Sequence, residues 1–109
     1  MKKKTDSYLG FAKKSGNLVS GTGTCKVMAD RGKLKLLIIA EDIAEGSMEK
    51  MKKLAASGDI PYRIYGLSDH LSQVTGMPGR SVFGITDKQF ADIVTKQIDT
   101  EQSSEKEVF

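Results

Sequence analysis

The sequence predicts an α/β protein: a three-layer α/β/α sandwich built around a four-stranded sheet. Three observations carry that expectation. Short apolar runs alternate with amphipathic stretches in the order αβαβαβαβα, with short connections between them. One run, Leu36-Leu37-Ile38-Ile39-Ala40, is apolar on both faces, as in a central parallel strand covered by helices on both sides. The chain has 109 residues, 39% hydrophobic and 28% charged, which suffices for one core between two or three layers and leaves no room for a second domain. Without Trp and with few aromatics, that core is aliphatic.

Each element has a local cause. Thr5-Asp6 can cap a first helix over residues 7–14, with Gly16 as its stop. Leu18-Val19 is a short strand. After a glycine turn, Cys25, Met28 and Ala29 fall at i, i+3 and i+4, giving a second helix that Gly32 ends. The run 36–40 follows as a strand. Ser47 can cap a third helix whose stripe is Met48, Met51, Leu54 and Ala55, opposite Lys50, Lys52 and Lys53, and Gly58 stops it. Both methionines read as core filler. Ile60–Tyr65 is a strand. Ser68 opens a fourth helix with Leu71 and Val74 inward and Gly76 as its C-cap. Val82–Ile85 is the last strand. Thr86-Asp87-Lys88-Gln89 fits a capping box, and the final helix packs Phe90, Ile93, Val94 and Ile98.

Composition narrows the function. A single cysteine, Cys25, excludes an internal disulfide and a Cys-rich zinc site, and a single histidine, His70, makes a poor metal site. No metal or other cofactor is expected. His70 reads as a solvated helix-surface residue beside Asp69. No nucleophile elbow surrounds a Ser or Cys, and no carboxylate pair beyond Glu41-Asp42 shares a loop, so an enzyme is not expected. The basic start Met-Lys-Lys-Lys lacks the apolar stretch of a signal peptide, and run 36–40 is too short to span a bilayer; a cytoplasmic protein is expected, with no membrane partner. The domain is expected over 1–98, followed by a polar, flexible tail over 99–109. Net charge is +3, but the tail holds four acidic residues against one Lys; without it, 16 basic residues face 10 acidic ones, a net of +6. A basic body of this size suits a polyanion.

The stretch Leu18-Val-Ser-Gly-Thr-Gly-Thr-Cys-Lys26 ends a strand in a Gly-x-Gly turn that opens a helix. Two nucleotide motifs fail here at one residue: the dinucleotide fingerprint and the Walker loop both need Gly at 26, where Lys26 stands. What remains is a turn presenting backbone N–H groups at the positive end of a helix dipole, with Ser20, Thr22, Thr24 and Lys26 around it. A phosphate site and a plain tight turn both fit that pattern.

The wider sequence favours the first. "LGFAKKSGNLVSG", "RGKLKLLIIAED", "IPYRIYG", "SQVTGMPGRSV" and "GITDKQFADIV", in this order and spacing over residues 8–98, resemble the kink-turn RNA-binding superfamily of ribosomal proteins L-seven-Ae and L-thirty-e, and within it the small bacterial YlxQ-type branch. The resemblance implies an L-thirty-e-like sandwich with a mixed sheet, no catalysis, and an RNA partner with a sharp kink, in the ribosome or an RNA-processing particle. A monomer is the family's default.

The resemblance also implies a site. In the family, a Gly-x-Asn-Glu-x-x-Lys pattern after the first strand meets the kink: Asn and Glu read the sheared G·A pairs, and Lys meets phosphate. Gly21 matches the Gly here, while Gly23, Thr24 and Val27 stand in place of Asn, Glu and Lys. Lys26, one place earlier, points about 100° away on an ideal helix. The second implied contact is the loop Gly76-Met77-Pro78-Gly79-Arg80-Ser81. Its apolar atoms cover the kink, and Arg80 takes the basic role. In some relatives the start of the third helix closes a pocket for a flipped-out base, and Ile43, Ala44 and Met48 occupy those places. The expected RNA site is therefore Ser20, Gly21, Thr22, Gly23, Thr24, Lys26 and Val27 with Met77, Pro78, Gly79, Arg80 and Ser81. Two other classes stay open: a protein-interaction module on the ribosome with an eroded RNA face, and a domain that binds a small anionic ligand or nucleotide.

Overall fold

The alternation of side chains along a strand sends successive residues to opposite faces, and here both faces are covered. A computed structural model describes residues 3–106; residues 1–2 and 107–109, the outer ends of the expected domain and tail, lie outside the described residues. The elements are α1 (Lys4–Lys14), β1 (Leu18–Ser20), α2 (Thr22–Asp30), β2 (Leu36–Ile39), α3 (Glu45–Ser57), β3 (Tyr62–Ile64), α4 (Ser68–Thr75), β4 (Val82–Ile85) and α5 (Lys88–Lys106). Together they form the expected α/β/α sandwich around a four-stranded mixed sheet.

The sheet runs β1-β4-β2-β3. β4 is antiparallel to both β1 and β2, while β2 and β3 are parallel. The both-faced run 36–40 is thus central but parallel on one side only, because β4 returns between β1 and β2. Leu36 and Ile38 of β2, with Phe83 and Ile85 of β4, meet Leu9 of α1, Leu71 of α4 and Val94 and Ile98 of α5. Leu37 and Ile39, with Val82, meet Cys25 of α2 and Met51 and Ala55 of α3. Gly84 leaves room on this second face: a Cβ there would run into Leu34 and lie 3.2 Å from both Cys25 Sγ and Val19 Cγ2. Gly84→Ala should therefore cost about 1–3 kcal/mol in thermal or urea unfolding, the usual penalty for overfilling a packed core. An unchanged midpoint would show that Leu34 can move aside freely.

Several helix ends differ from expectation, and at the starts of α1 and α5 the reason is that a short polar side chain takes the partner the fold supplies. α1 starts at Lys4, and Thr5 and Asp6 are buried inside it. Thr5 Oγ1 donates to Glu101 Oε2 at 2.8 Å, and Asp6 Oδ1 accepts from Tyr65 OH at 3.3 Å. Ser47, expected as the cap of α3, lies within its first turn, while Ser68 opens α4 as expected. At α5 the cap is Asp87, whose Oδ2 accepts the Phe90 N–H at 2.9 Å, while Thr86 bonds back to Asn17 O. Gly76 ends α4 in the left-handed conformation, φ 69°, as expected. Ile93 is 45% exposed, not packed; the inward stripe of α5 is Ala91, Val94 and Ile98.

α5 also continues beyond Ile98, the expected edge of the domain. Asp99 takes Arg63 in a two-point ion pair, Nε–Oδ1 2.7 Å and Nη2–Oδ2 3.1 Å. Gln102 Nε2 donates to Ile64 O at 2.8 Å, and Arg63 Nη1 donates to Tyr62 O at 2.8 Å. These bonds occupy carbonyls on the outer edge of β3, the kind of open edge that otherwise recruits a foreign strand.

Candidate nucleic-acid interface

Antiparallel pairing of β1 with β4 sets Ser20 opposite Phe83, so the turn leaving β1 lies beside the loop entering β4. Gly21 occupies that turn as the N-cap of α2, with φ 93° and ψ 148°. This region is essentially reserved for glycine. The Gly21 N–H donates to Val82 O at 2.8 Å, and Gly21 O accepts from Cys25 N–H at 3.1 Å, so both sides of the peptide are fixed. No side chain caps α2. Thr22, Gly23 and Thr24 form its exposed first turn. Their backbone N–H groups precede the first intrahelical donor, the Cys25 N–H, and carry the positive end of the helix dipole.

Arg80 arrives from the other loop. A Cβ built on Gly21 would lie 3.2 Å from Arg80 Nη1 and 3.6 Å from Cζ, so the guanidinium rests directly over the glycine. The loop that delivers it is braced at several points. Gly79 adopts φ 73°. Arg80 O accepts from Ser72 Oγ at 3.2 Å, and Ser81 O accepts from Ala40 N–H at 2.8 Å. Ser81 and Ser68 hydroxyls are 2.8 Å apart, and Ser68 donates to Asp42 Oδ1 from both Oγ (2.7 Å) and N–H (2.9 Å). The β2–α3 loop, the start of α4 and the arginine loop are thereby tied into one unit.

The structure thus brings Gly21 and Arg80 together and sorts the other expected residues around them. Pro78, Gly79 and Val27 are exposed, Val27 at 46%. Met77 packs against the core on the α1/α4/α5 side, and Ser81 spends its hydroxyl on Ser68. Ser20 ends β1 half-buried. Lys26 turns toward α3 and shares a groove with Thr22 and Gly23. Ile43 and Met48 are half-buried against the α2/α3-side core. Sequence reading missed Ser68 and Ser72 as braces, and Asp42 entered it only as one of a carboxylate pair with Glu41. His70 pairs with Asp6 of α1, not with Asp69: Nε2–Oδ2 is 2.8 Å. Cys25 is buried, which pushes its thiol up to about 12 and leaves it protonated at neutral pH.

Both Ser68 bonds hold the Asp42 carboxyl below the usual carboxylate range. A carboxyl depressed in the folded state stabilises above its unfolded value, about 3.9, and that contribution is lost as pH falls through the folded value. Wild type should therefore melt above Asp42→Asn at pH 6, and the gap should close below about pH 4. A gap unchanged down to pH 2 would contradict the brace.

Fold and site define a small α/β/α protein with a glycine turn and a braced arginine loop meeting at one end of its sheet. The chain belongs to the ribosomal protein L7Ae/L30e/S12e/Gadd45 family, whose profile matches residues 3–95. It is 28% identical over 91 residues to RNA-binding protein YlxQ of Enterococcus faecium, covering 83% of this chain and 86% of that one. A Bacillus halodurans protein of unknown function has the same fold, with TM-score 0.87 and 26% identity over 90% of this chain and 99% of the other. The Giardia lamblia 15.5kD RNA binding protein shares the fold at TM-score 0.71 and 16% identity, over 90% of this chain and 84% of that one.

Proposed function

We propose that this chain is a non-catalytic RNA-binding protein that holds kink-turn RNA at the Gly21–Arg80 end of its sheet. Family membership and the YlxQ relative's name support the RNA partner. One observation carries the site: Arg80, from a loop 59 residues away in sequence, lies over Gly21 at the open end of α2. A bent RNA backbone brings phosphates close together. The exposed N–H groups of α2 and a planar guanidinium give two kinds of donor for them. Gly21 lets the Arg80 guanidinium lie against the turn without a Cβ in the way. In this reading the protein works as a monomer in the cytoplasm, on the ribosome or an RNA-processing particle. Among the described residues no helix is long and apolar enough to cross a membrane.

Arg80 has the most direct test. Arg80→Ala should weaken kink-turn RNA binding about 10-fold or more, as loss of a charged hydrogen bond does. It should also lower the slope of log affinity against log salt by about one. The side chain is exposed, so the melting temperature should hold. Equal affinity in the folded variant would remove Arg80 from the interface.

A further inference from the structure

Helical spacing puts Lys50, Lys53 and Leu54 of α3 on one stripe, at i, i+3 and i+4, and Thr22 and Lys26 of α2 on another, at i and i+4. The two stripes face each other across an open groove of about 430 Å³ whose walls also include Met51. From sequence, Lys50 and Lys53 lie opposite the apolar stripe of the third helix; the structure puts both on the groove, beside Met51 and Leu54 of that stripe. Three lysines, Lys26, Lys50 and Lys53, line it and no carboxylate does. Among the described residues none of the three is in an ion pair.

We propose that this α2/α3 groove is a second RNA contact, which takes the phosphate backbone of the strand leaving the Gly21–Arg80 site. The proposal rests on the RNA-binding reading above and extends it. Like charges gathered along a groove with no carboxylate in its lining repel one another, and a polyanion relieves that repulsion. Lys50 and Lys53 are one turn apart, about 4.5 Å along the helix axis, a spacing that flexible lysine stems match to successive phosphates. Lys26 reaches the same strand from the other wall. Position supports continuity: Thr22 lies in the groove and directly follows Gly21, so a strand crossing Arg80 passes onto the lysines without a gap. An ion held at one point would need one or two of these groups. Three, spread over two helices, fit an extended chain.

The test is a salt titration with a kink-turn RNA that carries long flanking helices, using the whole chain. Replacing Lys26, Lys50 and Lys53 together by Gln should lower the slope of log affinity against log salt by about 2–3, at roughly 0.7–0.9 per phosphate contact. Affinity at low salt should fall at least about tenfold. The triple Lys→Arg variant should keep the wild-type slope. A control with equal loss of charge on α1 and α5, Lys13, Lys14 and Lys96 to Gln, should move the slope by less than half as much. If the groove variant keeps its slope while Arg80→Ala still weakens binding, the groove is overturned and the RNA reading stands. If the groove variant binds RNA normally but loses an acidic peptide that wild type holds, the groove serves a protein instead. If wild type binds no RNA, both readings fall.

Discussion

Replacing Gly23 by Asn, Thr24 by Glu and Val27 by Lys should raise the affinity for kink-turn RNA by about two to four powers of ten. The resemblance to the kink-turn proteins places those residue types at these three positions, where they read the sheared G·A pairs and a phosphate. Each bidentate base contact is worth about 1–3 kcal/mol of discrimination, and two are restored. The scaffold accepts the change. All three positions are exposed, and a Cβ on Gly23 meets nothing within 4 Å. Removing Val27 also takes away an apolar side chain that is 46% exposed. The gain should vanish on RNA whose G·A pairs are broken, since those pairs are what the new side chains read. A gel-shift or fluorescence titration of both RNAs decides it. No gain on the intact RNA would mean that the first turn of α2 does not face the kink.

Gly21→Ala should have the opposite effect and should act twice. A side chain at φ 93° and ψ 148° is strained by about 1–3 kcal/mol. Its Cβ would also press on the Arg80 guanidinium at 3.2 Å and displace it. The variant should melt at least several degrees lower, at about 4–8 °C per kcal/mol for a domain of this size. Its RNA affinity should fall with the displaced arginine. Gly23→Ala in the same turn is the stability comparison. Its backbone is helical and its surroundings are empty, so melting should stay level or rise slightly. Equal melting of Gly21→Ala and wild type would contradict the reading of Gly21 as a position only glycine fits.

The fold was legible where a residue's neighbours in sequence decide its place. The two-sided apolar run 36–40 had to be central, and Gly76 had to end α4, because periodicity and the left-handed conformation are local properties. The sequence was less legible where a polar side chain chooses between local and distant partners. Thr5 and Asp6 carry a capping signal, yet they bond Glu101 and Tyr65, because α1 packs beside α5 and the end of β3. The polarity of residues 99–102 suggested a loose tail; Arg63 and the Ile64 carbonyl give those side chains a reason to dock.

The site followed the same rule. The glycine turn stands out in any reading of residues 18–26. That Arg80 rests over it depends on β1 and β4 pairing antiparallel, and no local pattern states which strands pair. Lys50 and Lys53 were legible as a polar helix face. A helical wheel cannot show that α2 runs beside that face and turns it into one wall of a groove. Ser68, Asp42 and Ser72 have no motif at all: Ser68 meets Asp42 across 26 residues and Ser72 meets the Arg80 carbonyl across 8, and both contacts come from the tertiary fold.

The central claim is that this sheet end recognises a kink and not merely a charge. The measurement is a titration of a standard kink-turn RNA beside the same RNA with its G·A pairs broken, over several salt concentrations. The expected result is binding to the intact RNA at least about tenfold tighter at every salt, equivalent to about 1.4 kcal/mol of shape-dependent contact. Equal binding to both RNAs, fading steeply as salt rises, would reduce the interaction to the basic surface alone and contradict the claim.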